Sequence, residues 1–113
     1  MSKVDEKIAH YQEEAKKLGL KLDPDFIAAV TRALGPSIHN RDAETVSCSD
    51  ASELERVRKN FLEKKLGLTE AAEKLDAAIK EVCKELGSSN RNKYRALFYA
   101  LLAKKFGKES LYA

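Results

Sequence analysis

The chain has no tryptophan, only two cysteines, two prolines and five glycines in 113 residues, and 7% aromatic residues. Glycine and proline are too sparse for an all-β protein, which needs a turn about every ten residues. Long apolar runs are also missing. The longest, Ala96 to Ala103, is eight residues, against the roughly 20 that a helix needs to cross a bilayer, so no membrane span is expected. Ser2-Lys3-Val4-Asp5-Glu6-Lys7 lacks the apolar centre of a secretory signal, which places the chain in the cytoplasm as an expectation. Cys48 and Cys83 are 35 residues apart, with no CxxC and no His pair beside them. That spacing suggests neither a zinc site nor a secreted disulfide framework. Two unpaired thiols are expected, and no metal or cofactor.

What remains is 43% apolar and 35% charged, enough for residues 1–113 to close one core as a single domain without staples. Ala, Leu, Glu and Lys dominate, which points to an all-α fold. Caps and period together give about five helices. The first runs from about Ser2 to Leu18 and stops at Gly19. The second opens with Asp23 as N-cap and Pro24 at the first helical position, and ends at Gly35-Pro36. The third is capped by Ser49 or Asp50 and carries Leu54, Val57, Phe61, Leu62 and Leu66. Thr69 is expected to cap the fourth, which carries Leu75, Ile79, Val82 and Leu86. Ser88, Ser89 and Asn90 are expected to open the fifth. From Tyr94 to Phe106 that helix is apolar almost all round, so it should be central, with the others packed about it. The polar stretch 35–49 is long for a plain connection and should hide a short helical turn.

Lys16-Lys17-Leu18-Gly19-Leu20 recurs at Lys64-Lys65-Leu66-Gly67-Leu68. The helices upstream of the two copies are out of phase, which favours shared stop chemistry over a duplicated hairpin.

Leu34-Gly35-Pro36-Ser37-Ile38, Ser49-Asp50, Asn60-Phe61-Leu62 and Lys64-Lys65-Leu66-Gly67-Leu68 are followed by Ser89-Asn90-Arg91-Asn92-Lys93-Tyr94-Arg95-Ala96 and Phe106-Gly107-Lys108-Glu109-Ser110. In this combination the chain resembles a small bacterial family catalogued only as domain of unknown function 2853. The resemblance implies a compact bacterial helical domain, and it carries over no activity, substrate or catalytic residue.

Two regions hold residue types that could carry chemistry. In the 35–50 connection, Ser37, His39, Asp42, Ser47, Cys48 and Asp50 include nucleophile, base and acid types. No Gly-x-Ser-x-Gly elbow or oxyanion loop accompanies them, so a polar loop that caps adjacent helices is the simpler assignment. Convergence of His39 and Cys48 in a pocket would favour the alternative, a small enzyme. His10 has no second His one turn away, which argues against metal binding.

The second region is the start of the fifth helix. Residues 88–108 hold Arg91, Lys93, Arg95, Lys104, Lys105 and Lys108 and no acid, whereas residues 1–50 hold seven bases against nine acids. Cations at a helix C-terminus complement its dipole; cations in a first turn oppose it. Ser88, Ser89 and Asn90, with Arg91 and Arg95 one turn apart, therefore form a candidate anion site. The alternative is that Glu81, Glu85 or an acid of the first helix pairs with these arginines.

A helix-turn-helix assignment around Gly87 puts Lys93 where an aliphatic residue is needed. The net charge of +3 is also low for a dedicated DNA-binding domain, so sequence-specific DNA binding is not expected. The expected function is a non-enzymatic binding or interaction module whose partner is a protein or an anionic ligand. A weak nucleic-acid-binding protein is kept with the small enzyme as alternatives.

Overall fold

Aspartate, proline and glycine punctuate the chain into helices, and the computed structural model describes residues 3–87, 90 and 92–112, with the backbone alone at Arg41 and Asp42. Helix α1, Lys3–Lys17, turns Ile8, Tyr11 and Ala15 inward. Helix α2, Pro24–Leu34, starts where the sequence signals it: the Asp23 carboxylate accepts the Asp25 N–H at 2.8 Å, and Pro24 occupies the first turn. The 35–49 connection contains two short turns of helix, a 3-10 turn at Gly35–His39 and helix α3 at Arg41–Glu44.

Asp50, not Ser49, caps helix α4, Ala51–Arg56. At Val57–Lys65 the helix widens to i→i+5 pairing. Val57, Phe61, Leu62 and Leu66 are buried, and steps of four and five residues between them suit that wider turn, which a 3.6-residue period does not anticipate. Helix α5, Ala72–Glu85, buries Leu75, Ala78, Ile79 and Val82. It starts at Ala72 with Ala71 at the cap position, so Thr69 does not cap it.

Helix α6, Arg95–Lys105, buries Ala96, Leu97, Phe98 and the run Ala100 to Ala103. Helices α1, α2, α3 and α5 all pack on it, which makes it the centre of an all-α globule. A 3-10 turn at Glu109–Tyr112 follows and lays Tyr112 against Phe26.

The start of α6 differs from the sequence expectation. Tyr94 is its N-cap, in extended conformation, so the helix opens at Arg95 and not at Ser88–Asn90. The reason is tertiary. The Val46 N–H donates to the Lys93 carbonyl at 2.8 Å, and Thr45 and Tyr94 form an isolated antiparallel bridge. These bonds hold residues 93 and 94 extended against the 45–46 segment. Beyond this bridge no sheet forms among the described residues.

The two Lys-Lys-Leu-Gly-Leu copies share their stop chemistry, with Gly19 at φ 69° and Gly67 at φ 68°. That is the left-handed region glycine enters without a Cβ clash. The helices they end differ: the Leu20 N–H reaches the Ala15 carbonyl after α1, while the Leu68 N–H reaches Leu62 after the wider turns.

The expectation of two unpaired thiols is corrected. Cys48 and Cys83 form a disulfide, with Cα atoms 6.1 Å apart. The polar connection does not stand away from the core as its composition suggests. It folds back, and Cys48 packs on the same core-edge surface as Cys83 of α5.

Candidate functional site

The reactive residue types of the 35–50 connection are dispersed into local structural roles. The Ser37 hydroxyl donates to the Leu34 carbonyl at 3.0 Å, and the Ser47 and Ser49 hydroxyls pair with each other. Asp50 accepts the Ser52 and Glu53 N–H groups at 2.9 and 3.4 Å. Cys48 is in the disulfide, while His39 is exposed at the end of its 3-10 turn. The side chain of Asp42 lies outside the described residues. Among the described residues of this stretch, nucleophile, base and acid are not brought together. Among the described residues no group of three His, Cys, Asp or Glu could hold a metal ion.

Of the candidate anion site, Ser88, Ser89 and Arg91 lie outside the described residues. Asn90 is engaged locally: its amide donates to the Leu86 carbonyl and its oxygen accepts the Asn92 N–H, both at 2.9 Å. Lys93 buries its stem, and its ammonium donates to the Asn90 carbonyl at 2.6 Å. α6 begins at Arg95, so the described residues 92–94 precede the helix.

Arg95 is turned into the protein. Its Nε donates to the Ala43 carbonyl at 2.6 Å, one terminal nitrogen donates to the Tyr99 hydroxyl at 2.9 Å, and the other pairs with Glu53 and reaches the Thr45 carbonyl at 3.4 Å. Its ionic partner is Glu53 of α4, not Glu81, Glu85 or an acid of α1. Burial works against the Arg95 charge, but Tyr99 and Glu53 outweigh it and hold the guanidinium above its ordinary value. Tyr99 in turn stacks on Phe61, with ring centroids 3.9 Å apart.

A second network lies on the other side of α3. Glu44 accepts from the Lys7 ammonium at 2.7 Å and from the Tyr11 hydroxyl at 2.6 Å. Burial alone would raise the Glu44 carboxyl; the Lys7 and Tyr11 hydrogen bonds and the nearby positive charge outweigh it and lower it. Burial first, then the bond to Glu44, push the Tyr11 phenol well above its usual range. His10 Nε2 meets the Tyr94 hydroxyl at 2.8 Å. Both networks fasten α3 to the bundle.

Concave space lies at the end of α1. A shallow groove of about 800 Å³ has Ala15, Leu20, Leu22, Pro24 and Ile27 as its floor and Gln12, Glu13, Lys16 and Lys17 along its rim. Gln12 spans the gap by donating to the Pro24 carbonyl at 2.9 Å. Leu20 is shared with a second groove of about 500 Å³, whose walls include Leu18, Leu101, Lys21, Lys104, Lys105 and Glu85. Lys17 is 3.9 Å from Glu14, and Lys105 pairs with Glu81 and Glu85. Lys104 donates to the Lys21 carbonyl. Among the described residues the ammonium groups of Lys16 and Lys21 have no ion-pair partner, so the joined grooves have an apolar floor and a positive rim.

The family described as protein of unknown function (DUF2853) matches residues 9–110. The chain belongs to this family. No curated protein matches it. The matched span takes in both grooves and the Arg95 network, while Lys7 lies just before it.

Sequence pattern does not reveal the partners of these networks. Glu53 is 42 residues from Arg95, and Glu44 is 33 from Tyr11, so no local period links them. The groove has a local signal that doubles as helix punctuation: the alternation of Lys and Leu through Lys16-Lys17-Leu18-Gly19-Leu20-Lys21-Leu22.

Proposed function

We propose that this domain is a non-enzymatic interaction module, and that the joined grooves at the end of α1 receive an acidic amphipathic helix of a partner protein. The observation that carries the proposal is the combination of an apolar floor with a lysine rim. An apolar floor rewards burial of leucine-type side chains, which a nucleic-acid backbone does not offer, and the rim favours carboxylates flanking them. Arg95 is taken up by Glu53, whereas Lys16 and Lys21 are exposed to an anionic partner. No helix among the described residues is long and apolar enough to cross a membrane. A cytoplasmic location belongs to the same proposal, and it sets the Cys48–Cys83 disulfide apart, because such bonds are rare in reducing compartments.

The test is fluorescence anisotropy with a labelled helical peptide carrying leucines on one face and glutamates beside them. Lys16 and Lys21 are exposed, so a Lys16→Glu, Lys21→Glu variant keeps the fold. It should bind about tenfold more weakly, a difference of about 1.4 kcal/mol. A counterpart peptide with lysines in place of the glutamates should bind poorly. Equal binding of both peptides, or tighter binding of a short DNA duplex, overturns the proposal.

A further inference from the structure

The disulfide joins two segments that the core holds very differently. On one side, Cys83 belongs to α5, which is anchored by the fully buried Leu75, Ile79, Val82 and Leu86. On the other, Cys48 sits among exposed Ser47, Ser49 and Asp50 and leads directly into α4, a six-residue helix with no buried side chain. The attachments of this stretch fall into two groups. Upstream, buried Val46 and the bond from its N–H to the Lys93 carbonyl hold the chain independently of the disulfide. Downstream, Glu53 holds Arg95, and the helix then enters the buried Val57–Lys65 turns. Between Val46 and Glu53, the bond to Cys83 is the covalent tie to α5. Both cysteines are half-buried at the edge of the core, within reach of a reductant from solvent.

We propose that the Cys48–Cys83 disulfide is a redox clasp: reduction by a dithiol protein of the thioredoxin class frees residues 47–52 from α5 and leaves the rest of the helical core in place. In the reaction a reductant thiolate attacks one of the two sulfurs, forming a mixed disulfide and expelling the other cysteine as a thiolate that takes a proton. The second thiol of the reductant resolves the mixed disulfide, so two electrons pass to the protein, which gains two thiols while the reductant becomes a disulfide. No residue of the released segment is fully buried, and stretches with few buried contacts open at the lowest free energy. What opens is the face between α4 and α5, where a cleft of about 280 Å³ is lined by Leu54, Arg58, Asp76 and Ile79 among others.

The clasp is independent of the groove at the end of α1, and it is tested without a partner. Thiol trapping and mass spectrometry follow the bond in native buffer with a thioredoxin-type dithiol protein, and hydrogen exchange is compared between the oxidised and reduced protein. Reduction should proceed without denaturant, and amides of 47–52 should exchange at least tenfold faster, while those of α6 keep their protection relative to unfolding. A Cys48→Ser variant, altered in the exposed segment, should show the same local gain with no reductant present. Three results would overturn the proposal: a bond that resists reduction until the protein unfolds, unchanged exchange at 47–52 after reduction, or loss of protection throughout the chain.

Discussion

Replacing Arg95 by alanine tests whether the start of α6 is a structural junction. The guanidinium joins the Ala43 and Thr45 carbonyls, the Glu53 carboxylate and the Tyr99 hydroxyl, so its loss unfastens α3 and α4 from α6 together. The Arg95 and Glu53 side chains are 14% and 13% exposed. Breaking a buried ion pair costs about 3 to 5 kcal/mol, and the figure must be discounted here for two reasons. Water reaches the rim of the pair, and Arg56 remains 3.0 Å from Glu53 to share its charge. An expected loss of about 3 kcal/mol remains, from one charge-assisted bond and two carbonyls left without their donor. At this chain length that lowers Tm by about 10 °C or more. Arg95→Lys keeps the charge but not the planar fork and should fall between the two. The assay is urea unfolding followed by helical circular dichroism, with a double-mutant cycle against Glu53→Gln. A coupling of at least about 1 kcal/mol is expected for groups in one network. An Arg95→Ala protein within about 0.5 kcal/mol of wild type would refute the junction and return Arg95 to the pool of available cations.

Phe98, fully buried on α6, should cost about 3 to 5 kcal/mol when cut to alanine, and a melting curve like that of wild type would show α6 to be peripheral. Glu44 bears on pH. Its folded carboxyl lies below the ordinary 4.5, so it stabilises the fold above that pH and the contribution is lost as pH falls through the lower folded value. Glu44→Gln should therefore flatten the stability curve on the acid side of about 4.5; an acid limb as steep as that of wild type would contradict the network.

The helices were largely legible because their ends are local events. Asp23 with Pro24, Asp50, and the glycines after α1 and the Val57–Lys65 turns act through neighbours within a few residues, and a sequence displays those directly. The central place of α6 was legible because a segment apolar on nearly every side has only one place to go. Long-range contacts left no such trace. Arg91, Lys93 and Arg95 look alike in a string of cations. It takes the pairing of Val46 with Lys93, nearly half the chain apart, to delay α6 and turn Arg95 inward. Cys48 looked remote from Cys83 because its neighbours are polar, yet a polar segment can lie on a core edge with one side chain turned in. The wider turns at Val57–Lys65 were hidden because apolar spacings of four and one fit either helix.

The most direct test of the interaction module is to titrate the acidic amphipathic peptide into isotopically labelled protein and map the amide chemical-shift changes. The changes should cluster at residues 12–27 and around Leu101 to Lys105, where the two grooves meet, and leave residues 90–95 unmoved. Changes confined to residues 90–95, or none at saturating peptide, would contradict it.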